Sequence, residues 1–360
     1  MTSIYNHLLM PPALDFLLIG QGLAGTLLSY ELERAGATFH VIDAGHRGAA
    51  SAVAAGIVNP ITGARFVKSW LIDELLPQLE TTYRALEREL GIDILHQRSI
   101  YRALFTAGEE NDWLSRTAQE GWSQHLLPSS DLGDFQAIVQ DTHGQGRLAG
   151  AQVKVAALIR AYRQRLLDRQ QLHEAAFDPQ HLELRADGLR YGAFHARQIV
   201  FCEGYRGQDN PWFSYLPFQV VKGEVFILEI PDFRSDDILK YRLLMAPQGA
   251  DHYWLGANYE RRPADDQPSA RGRTFLEDKL SHMLRVPYRE VAHRAAIRPA
   301  VADRRPLLGR HPDHPQLVIF NGLGAKGSSL GPYFARQLVD HLLRGQPLHP
   351  AADIARHPQK

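Results

Sequence analysis

Cysteine is almost absent from the sequence, since Cys202 is the single one among 360 residues. An internal disulfide and a cysteine-rich metal site are therefore excluded, and we expect no bound metal. A chain that does not depend on disulfides suits a reducing compartment, so we expect the protein in the cytoplasm.

Long hydrophobic runs and an excess of charge of one sign are lacking as well. No stretch approaches the about 18 apolar residues that indicate a membrane helix, and the first residues, MTSIYNHLLMPPALDF, lack the basic segment of a signal peptide. Forty Lys and Arg residues balance forty Asp and Glu residues. Composition therefore gives no reason to expect a membrane span or a nucleic-acid partner, and no pattern indicates an oligomeric state.

One stretch, LLIGQGLAGTLLSYELERAGATFHVID at 17–43, has the pattern of a nucleotide-binding unit. A buried strand at 16–19 leads into the loop GQGLAG. Apolar residues then recur at helical spacing up to Gly36, and a second strand follows at 38–43. This order predicts a Rossmann-type dinucleotide site. The alternative is a glycine-rich turn that only packs the helix on the strand.

Each glycine of this loop has a physical task in the prediction. Gly20 permits the tight turn, Gly22 lets a pyrophosphate approach the backbone, and Gly25 lets the helix pack closely on the strand. The helix N-terminus offers free N–H groups to the phosphates. Asp43, at the end of the second strand, is expected to accept hydrogen bonds from both ribose hydroxyls. Because NAD and FAD share an ADP half, the motif leaves the choice between them open.

Two further segments favour a flavin over a nicotinamide. GAASAVAAGIVNP at 48–60 is small and almost uncharged, so its backbone could lie flat against a planar ring, with a tightly packed helix start as the alternative. A strand at 317–320, the loop NGLGAKGSS and a helix at 332–343 form a second strand-loop-helix unit. A helix N-terminus there, joined by Lys326, would stabilise the negative charge of a reduced flavin. The alternative for Lys326 is a surface lysine paired with solvent.

With these motifs, the chain resembles the D-amino acid oxidase/glycine oxidase superfamily of FAD-dependent amine oxidoreductases over nearly its whole length. The resemblance rests on five segments in order, which are the early glycine loop, ASAVAAG (50–56), VKGE (221–224), IRPAVADRRPLLGRHP (297–312) and GLGAKG (322–327). It implies FAD as the cofactor. The last two segments look most like glycine oxidase and like the flavin domain of a tRNA wobble-uridine enzyme.

The resemblance also implies an architecture. We expect an α/β fold in which an FAD-binding Rossmann-type domain is interwoven with an antiparallel-sheet substrate domain. The expected boundaries are 1–85, 145–215 and 290–360 for the discontinuous FAD-binding domain, and 86–144 and 216–289 for the substrate-binding domain. Patterns in the sequence agree with this, predicting strands at 197–205, 220–230 and 252–260 and a long amphipathic helix at 72–91.

Carried over position by position, the resemblance implies a set of cofactor contacts and one substrate ligand. The cofactor contacts fall at Gly20, Gly22, Leu23, Ala24, Gly25, Asp43, Ala44, Ala50, Ser51, Ala55, Gly56, Ile57, Phe177, Gly204, Gly322, Gly324, Ala325, Lys326, Gly327 and Ser328. The family's carboxylate-binding arginine matches Arg298, whose planar guanidinium can form two parallel hydrogen bonds with a carboxylate. The alternative for Arg298 is a structural ion pair with Asp303 or another buried acid.

The sequence departs from the family at three places. Leu244 stands where glycine oxidases have an active-site tyrosine, so we expect Leu244 beside the substrate, with Tyr253 or Tyr241 as a replacement for the missing hydroxyl. Trp254 stands where sarcosine oxidases have the lysine that activates oxygen, which leaves the electron acceptor open between O2 and another molecule. The loop at 322–329, which closes over the flavin in the family, has no cysteine that could form a covalent link to FAD. We therefore expect FAD to be bound non-covalently.

The function that the resemblance implies is oxidation of the C–N bond of an amino acid or N-substituted glycine. The hydride would pass to flavin N5 and the imine would hydrolyse. Arg298 and Lys326 are the expected catalytic-site residues. Two alternatives remain, which are removal of a carboxymethyl group from a tRNA wobble uridine and a non-catalytic flavoprotein.

Overall fold

A computed structural model describes residues 13–45 and 48–358 of the chain. Over these residues the α-helices are α1 Leu23–Arg34, α2 Ala50–Val53, α3 Ile72–Leu90, α4 Ala107–Thr117, α5 Val155–Asp168, α6 Ala270–Ser281 and α7 Gly327–Arg344. The strands are β1 Leu14–Ile19, β2 Phe39–Ile42, β3 Ile57–Val58, β4 Ile61–Thr62, β5 Val67–Lys68, β6 Leu95–Leu104, β7 Leu126–Leu127, β8 Gly144–Val153, β9 Leu172–His173, β10 Leu182–Arg185, β11 Gly188–Tyr191, β12 Phe194–Phe201, β13 Val221–Glu229, β14 Ile238–Lys240, β15 Leu244–Gly249, β16 His252–Gly256, β17 Glu260–Arg261, β18 Arg289–Arg298, β19 Leu307–Arg310 and β20 Leu317–Asn321.

The first large sheet contains the dinucleotide-binding unit predicted from the sequence. Its order is β10-β11-β12-β1-β2-β9, and β20 pairs with both β12 and β19. The central strand β1 runs parallel to β2 and β12. Leu18 belongs to the core that includes α1 and α7, whereas Leu17 belongs to a separate core on the other face. Burial on both faces explains the continuous apolar run at 16–19 within β1. The α/β fold class is confirmed.

The second large sheet forms the roof of the molecule's main cavity. Its order is β17-β13-β16-β15-β14-β6-β8-β3, with β18 paired to β13 and β7 to β8. Alternate residues of each strand point to opposite faces. One face, with Met245 and Tyr253, packs on α6 in its own core, and the other face, with Val225 and Ala246, is turned towards the first sheet.

Two strands, β8 and β18, bear on the domain boundaries expected from the sequence. Both β8 and β18 pair within the second sheet, although the segments 145–215 and 290–360 were assigned to the FAD-binding domain. In the chain, β8 is followed directly by α5, and β18 is followed by the segment before β19. The boundaries stay a proposal.

Helix α3 confirms the amphipathic helix that the sequence predicts. Its first turn carries Asp73 and Glu74, where negative charge suits the helix dipole, and it ends at Gly91 in the left-handed conformation with φ 64°. Its buried residues, such as Leu79 and Tyr83, pack in one core with α7. No helix within 13–45 and 48–358 is both long and apolar enough to cross a membrane.

Candidate active site

A cavity of about 590 Å³ lies between the two sheets. Its volume is in the range of sites for large ligands and cofactors. Most of the residues singled out from the sequence line it: Gly20, Gly22, Leu23, Ala24, Asp43, Ala44, Ala50, Ser51, Ala55, Gly56, Ile57, Phe177, Gly204, Leu244, Arg298, Gly324, Ala325, Lys326, Gly327 and Ser328. Segments far apart in the chain thus meet in one space.

The glycine loop forms a cradle at the nucleotide end of the cavity. Gly20 has φ 99°, and a Cβ there would lie 2.6 Å from the carbonyl oxygen of Cys202. A Cβ on Gly25 would overlap the carbonyl oxygen of Gly20 at 1.9 Å, so Gly25 acts in packing and does not line the cavity. At Gly22 a Cβ would meet only the Ser51 hydroxyl at 3.4 Å. The space beyond Gly22 is therefore open to a pyrophosphate, and the residues present fit the ADP half of FAD.

Asp43 lies at the edge of this cradle and is held on several sides. Its carboxylate accepts hydrogen bonds from the backbone N–H of Gln21 (2.8 Å) and Gly45 (2.7 Å), and from Arg163 Nη1 (2.7 Å). The second guanidinium nitrogen of Arg163 binds Glu174 at 2.7 Å. Sequence reasoning missed Arg163, because it comes from α5 and no local pattern connects it with β2. A ribose contact at Asp43 stays a prediction.

The segment 48–60 forms the wall where a flavin ring would lie. Ser51 Oγ accepts a hydrogen bond from the backbone N–H of Leu23 at 3.1 Å, which joins the segment to the start of α1. Trp254 Nε1 donates to the carbonyl oxygen of Val53 at 2.9 Å. Gln152 Nε2 donates at 3.0 Å to the carbonyl oxygens of both Ala55 and Pro247. Trp254 thus links the roof sheet to the wall at 48–60 through a hydrogen bond.

The closing loop, residues 322–329, brings Lys326 to a second wall of the cavity. Its ammonium donates a hydrogen bond to Ser69 Oγ at 3.1 Å and lies 3.5 Å from Thr62 Oγ1. Burial, with smaller contributions from Arg305 and Arg304, holds the pKa of Lys326 below its usual value. The alternative of a lysine paired only with solvent does not match these contacts. Gly322, with φ 75°, shapes the loop behind this wall and does not line the cavity.

Arg298 ends β18, which pairs with β13 in the roof, and it lines the cavity. Its guanidinium lies over Gly223, where a Cβ would be only 1.9 Å from Nη2. Burial lowers the pKa of Arg298, and the hydroxyl of Tyr259 opposes that effect. Asp303 binds Arg356 at 3.1 Å instead, so the proposed ion pair with Asp303 is wrong. Within the described part of the chain no carboxylate forms an ion pair with Arg298.

The prediction that Tyr253 or Tyr241 supplies a hydroxyl to the substrate is wrong. Tyr253 is fully buried in the core on the far face of the roof, where its hydroxyl accepts a hydrogen bond from the backbone N–H of Ser235 at 2.8 Å. Tyr241 lies on the same face. Because side chains alternate along a strand, Trp254 faces the cavity and its neighbour Tyr253 faces the opposite side of the sheet. Period-two alternation in HYWLG would have given this answer.

Three cavity residues were missed by sequence reasoning. Gly223 gives room to the Arg298 guanidinium, and Tyr259 lines the cavity and opposes the lowering of the pKa of Arg298. Glu203 follows β12, and its carboxylate accepts a hydrogen bond from Asn210 Nδ2 at 2.8 Å while burial raises its pKa. VKGE contained the signal for Gly223, since a glycine inside a strand indicates a close approach.

A largely parallel sheet with a glycine loop, a second sheet that roofs the cavity and a half-buried arginine between them are compatible with a flavin-dependent oxidoreductase. Residues 15–341 match the family model described as FAD dependent oxidoreductase, DAO, and the chain belongs to that family. FAD is accordingly its cofactor, and a non-catalytic flavoprotein is disfavoured because the family consists of oxidoreductases.

Curated relatives are distant in sequence. The chain is 25% identical over 367 residues to glycine oxidase of Bacillus licheniformis, covering 93% of this chain and 94% of that protein. It is 21% identical over 349 residues to the tRNA 5-methylaminomethyl-2-thiouridine biosynthesis bifunctional protein MnmC of Idiomarina loihiensis. That match covers 91% of this chain but only 55% of the relative's length.

Solved structures share the fold. Glycine oxidase from Geobacillus kaustophilus superposes with a TM-score of 0.78 at 22% identity, covering 97% of this chain and 98% of that one. Iminodiacetate oxidase from Chelativorans sp. BNC1 superposes with a TM-score of 0.75 at 20% identity, covering 95% and 98%. At these identities the likeness concerns the fold alone.

Proposed function

We propose that the protein oxidises the C–N bond of an amino acid or N-substituted glycine whose carboxylate binds Arg298. The observation that carries the proposal is the half-buried guanidinium of Arg298, which faces the cavity and has no acidic partner among the described residues. A buried charge without a counter-ion is costly, and a substrate carboxylate would relieve that cost.

The residues of the cavity divide the work between binding and orientation. Bound FAD would supply the acceptor for the hydride that leaves the substrate's α-carbon. Arg298 would hold the carboxylate through two hydrogen bonds and so fix the position of that carbon. The apolar roof at Leu244 and Trp254 would exclude water. Lys326 and the positive N-terminal end of α7 would stabilise negative charge on a group bound beside them in the cavity.

Non-covalent binding of FAD belongs to the same proposal. The closing loop 322–329 contains no cysteine, and Cys202 is a buried thiol whose pKa burial raises, so it is a poor nucleophile. Acid precipitation should leave yellow FAD in the supernatant. A yellow pellet would contradict a non-covalent link.

The direct test is anaerobic mixing of the holoenzyme with amino acids of both chiralities and with N-alkyl glycines. Bleaching of the flavin absorbance identifies substrates without assuming O2 as the acceptor. Each acid is paired with its decarboxylated amine, because only an enzyme that uses a carboxylate clamp should prefer the acid. Equal bleaching by amines and acids would reject the proposed substrate class.

Demodification of a tRNA wobble uridine is the second candidate, supported by the similarity to MnmC. Its substrate also carries a carboxymethyl group on an amine, so the same arginine could bind it. Equal numbers of acidic and basic residues weaken this candidate, since tRNA binding usually uses a basic face. A gel shift with tRNA distinguishes the two.

A further inference from the structure

Two cations outside the site described above, Lys240 and Arg102, lie on the face of the roof that carries Leu244. Lys240 of β14 pairs directly with Leu244 of β15 and with Arg102 of β6. Residues directly opposite each other on neighbouring strands share a face, with Cβ atoms about 5 Å apart. Since Leu244 lines the cavity, Lys240 and Arg102 continue the same row of side chains beyond it.

Contacts with the β4–β5 hairpin place Arg102 beside the cavity independently of this register. Arg102 Nη2 donates to the carbonyl oxygen of Gly63 at 3.1 Å, and its guanidinium lies 4.5 Å from the centre of the Phe66 ring. Thr62, the residue before Gly63, lines the cavity. The two cations therefore lie immediately outside the cavity wall at the end where Leu244 stands.

Neither cation has an acidic partner within 13–45 and 48–358. Lys240 Nζ bonds to the carbonyl oxygen of Arg242 at 3.3 Å, and Arg102 Nε is buried with no hydrogen-bond partner. Burial lowers the pKa of both side chains, that of Lys240 to about 8, with a smaller contribution from Arg102. Glu109 is the acid that acts on Arg102, but its carboxylate bonds the backbone N–H of Phe105.

Two partly desolvated cations side by side repel each other, and each lacks the counter-ion that would offset its burial. An anion placed between them would remove both costs. Leu244 lies between this place and the cavity, so a ligand that extended from the cavity to the two cations would lay an apolar segment over the leucine.

We propose that Lys240 and Arg102 bind a second carboxylate of the substrate, and that the substrate class is an amino compound with two carboxylates joined by an apolar spacer. This rests on the proposed function, in which Arg298 binds the first carboxylate. Lys240 and Arg298 stand four strands apart, and Arg298 lies four residues further along its strand than Arg294, which shares the row of Lys240. At standard sheet spacings the two backbones are roughly 23 Å apart. Both side chains are long, so a spacer of several methylene groups suits the site better than one.

The test uses unreactive ligands, so it does not depend on turnover. The holoenzyme is titrated with linear dicarboxylates of four to nine carbons and with monocarboxylates of equal carbon number, followed by flavin absorbance and calorimetry. At the best length the dicarboxylate should bind about 10- to 100-fold more tightly, as expected for hydrogen bonds to a charged group. A dicarboxylate that binds no better than its monocarboxylate at every length overturns the inference without any variant.

Lys240→Met tests whether the tighter binding of dicarboxylates depends on Lys240. Methionine removes the charge but keeps much of the side chain's length and packing. It should abolish the dicarboxylate advantage and leave monocarboxylate affinity unchanged, with FAD content and melting temperature as checks of folding. Lys240→Gln serves if the methionine variant folds poorly. Lys279→Met is the control, since Lys279 lies on α6 and pairs with Asp278. An advantage that persists in the folded variants overturns the inference.

The same titrations separate this inference from the proposed function. Monocarboxylate binding that is lost in Arg298→Ala, without a dicarboxylate advantage in the wild type, removes only the second site. If no carboxylate perturbs the flavin or releases heat, the clamp at Arg298 fails and the second site fails with it.

Discussion

The two ends of the cavity are built from different parts of the polypeptide. At the nucleotide end, Gly20, Gly22 and Gly25 remove side chains and present backbone groups. At the substrate end, long side chains such as Arg298 and Lys326 project into the space from distant segments. Backbone geometry suits a ligand that does not vary, whereas side chains can be exchanged one at a time. Under the proposed function, cofactor and substrate would therefore be recognised by separable parts of the chain.

The largest effect is expected at the substrate end. Arg298→Ala should lose roughly 3–5 kcal/mol of transition-state binding with FAD content near normal. Arg298→Lys keeps the charge but not the fork, so KM should rise by about one to two orders of magnitude. Kinetics with an acid and its decarboxylated amine measure both. Arg294→Ala, on the same strand but exposed, is the control, and a mutant that still prefers the acid would make Arg298 structural.

At the nucleotide end, Asp43→Ala should weaken FAD binding by roughly 2–4 kcal/mol, because charge-assisted hydrogen bonds to the ribose are lost. Flavin occupancy after dialysis is the measurement. Asp43 also binds Arg163, so Arg163→Met separates the two roles. If it lowers occupancy as much as Asp43→Ala does, the ion pair rather than the ribose contact explains the loss.

Gly25→Ala should destabilise the fold by roughly 1–3 kcal/mol, since the new Cβ would overlap the Gly20 carbonyl and the backbone cannot yield without moving β1 or α1. Urea denaturation of apo and holo protein measures this. The matched control is Gly108→Ala in α4, where the nearest atom is 3.7 Å away. Equal stability of the two variants would mean that the close approach is relaxed in solution.

The smallest effect is expected on the far face of the roof. Tyr253→Phe removes a hydroxyl that accepts from Ser235 N, so stability should fall by about 1 kcal/mol. KM and kcat should stay unchanged, because Tyr253 does not reach the cavity. A rise in KM at unchanged stability would return Tyr253 to the substrate site.

Local sequence patterns were sufficient to predict the secondary structure at the nucleotide end of the cavity. The unit of β1, α1 and β2 is contiguous in sequence, so hydrophobic spacing and three glycines were enough to predict it. The substrate end depended on which face of a strand meets the cavity, and there Tyr253 was assigned to the wrong side. Arg163 and Lys240 could not be found from the sequence, since their importance arises from neighbours that are distant in the chain.

Gly223 has a consequence for how the protein can change over time. The Arg298 guanidinium rests where any side chain at 223 would have to be, so the two positions cannot vary independently. A larger residue at 223 alone would displace the guanidinium. Loss of Arg298 alone would leave an unfilled space above Gly223. Among relatives we therefore expect the glycine and the arginine to be inherited or lost as a pair.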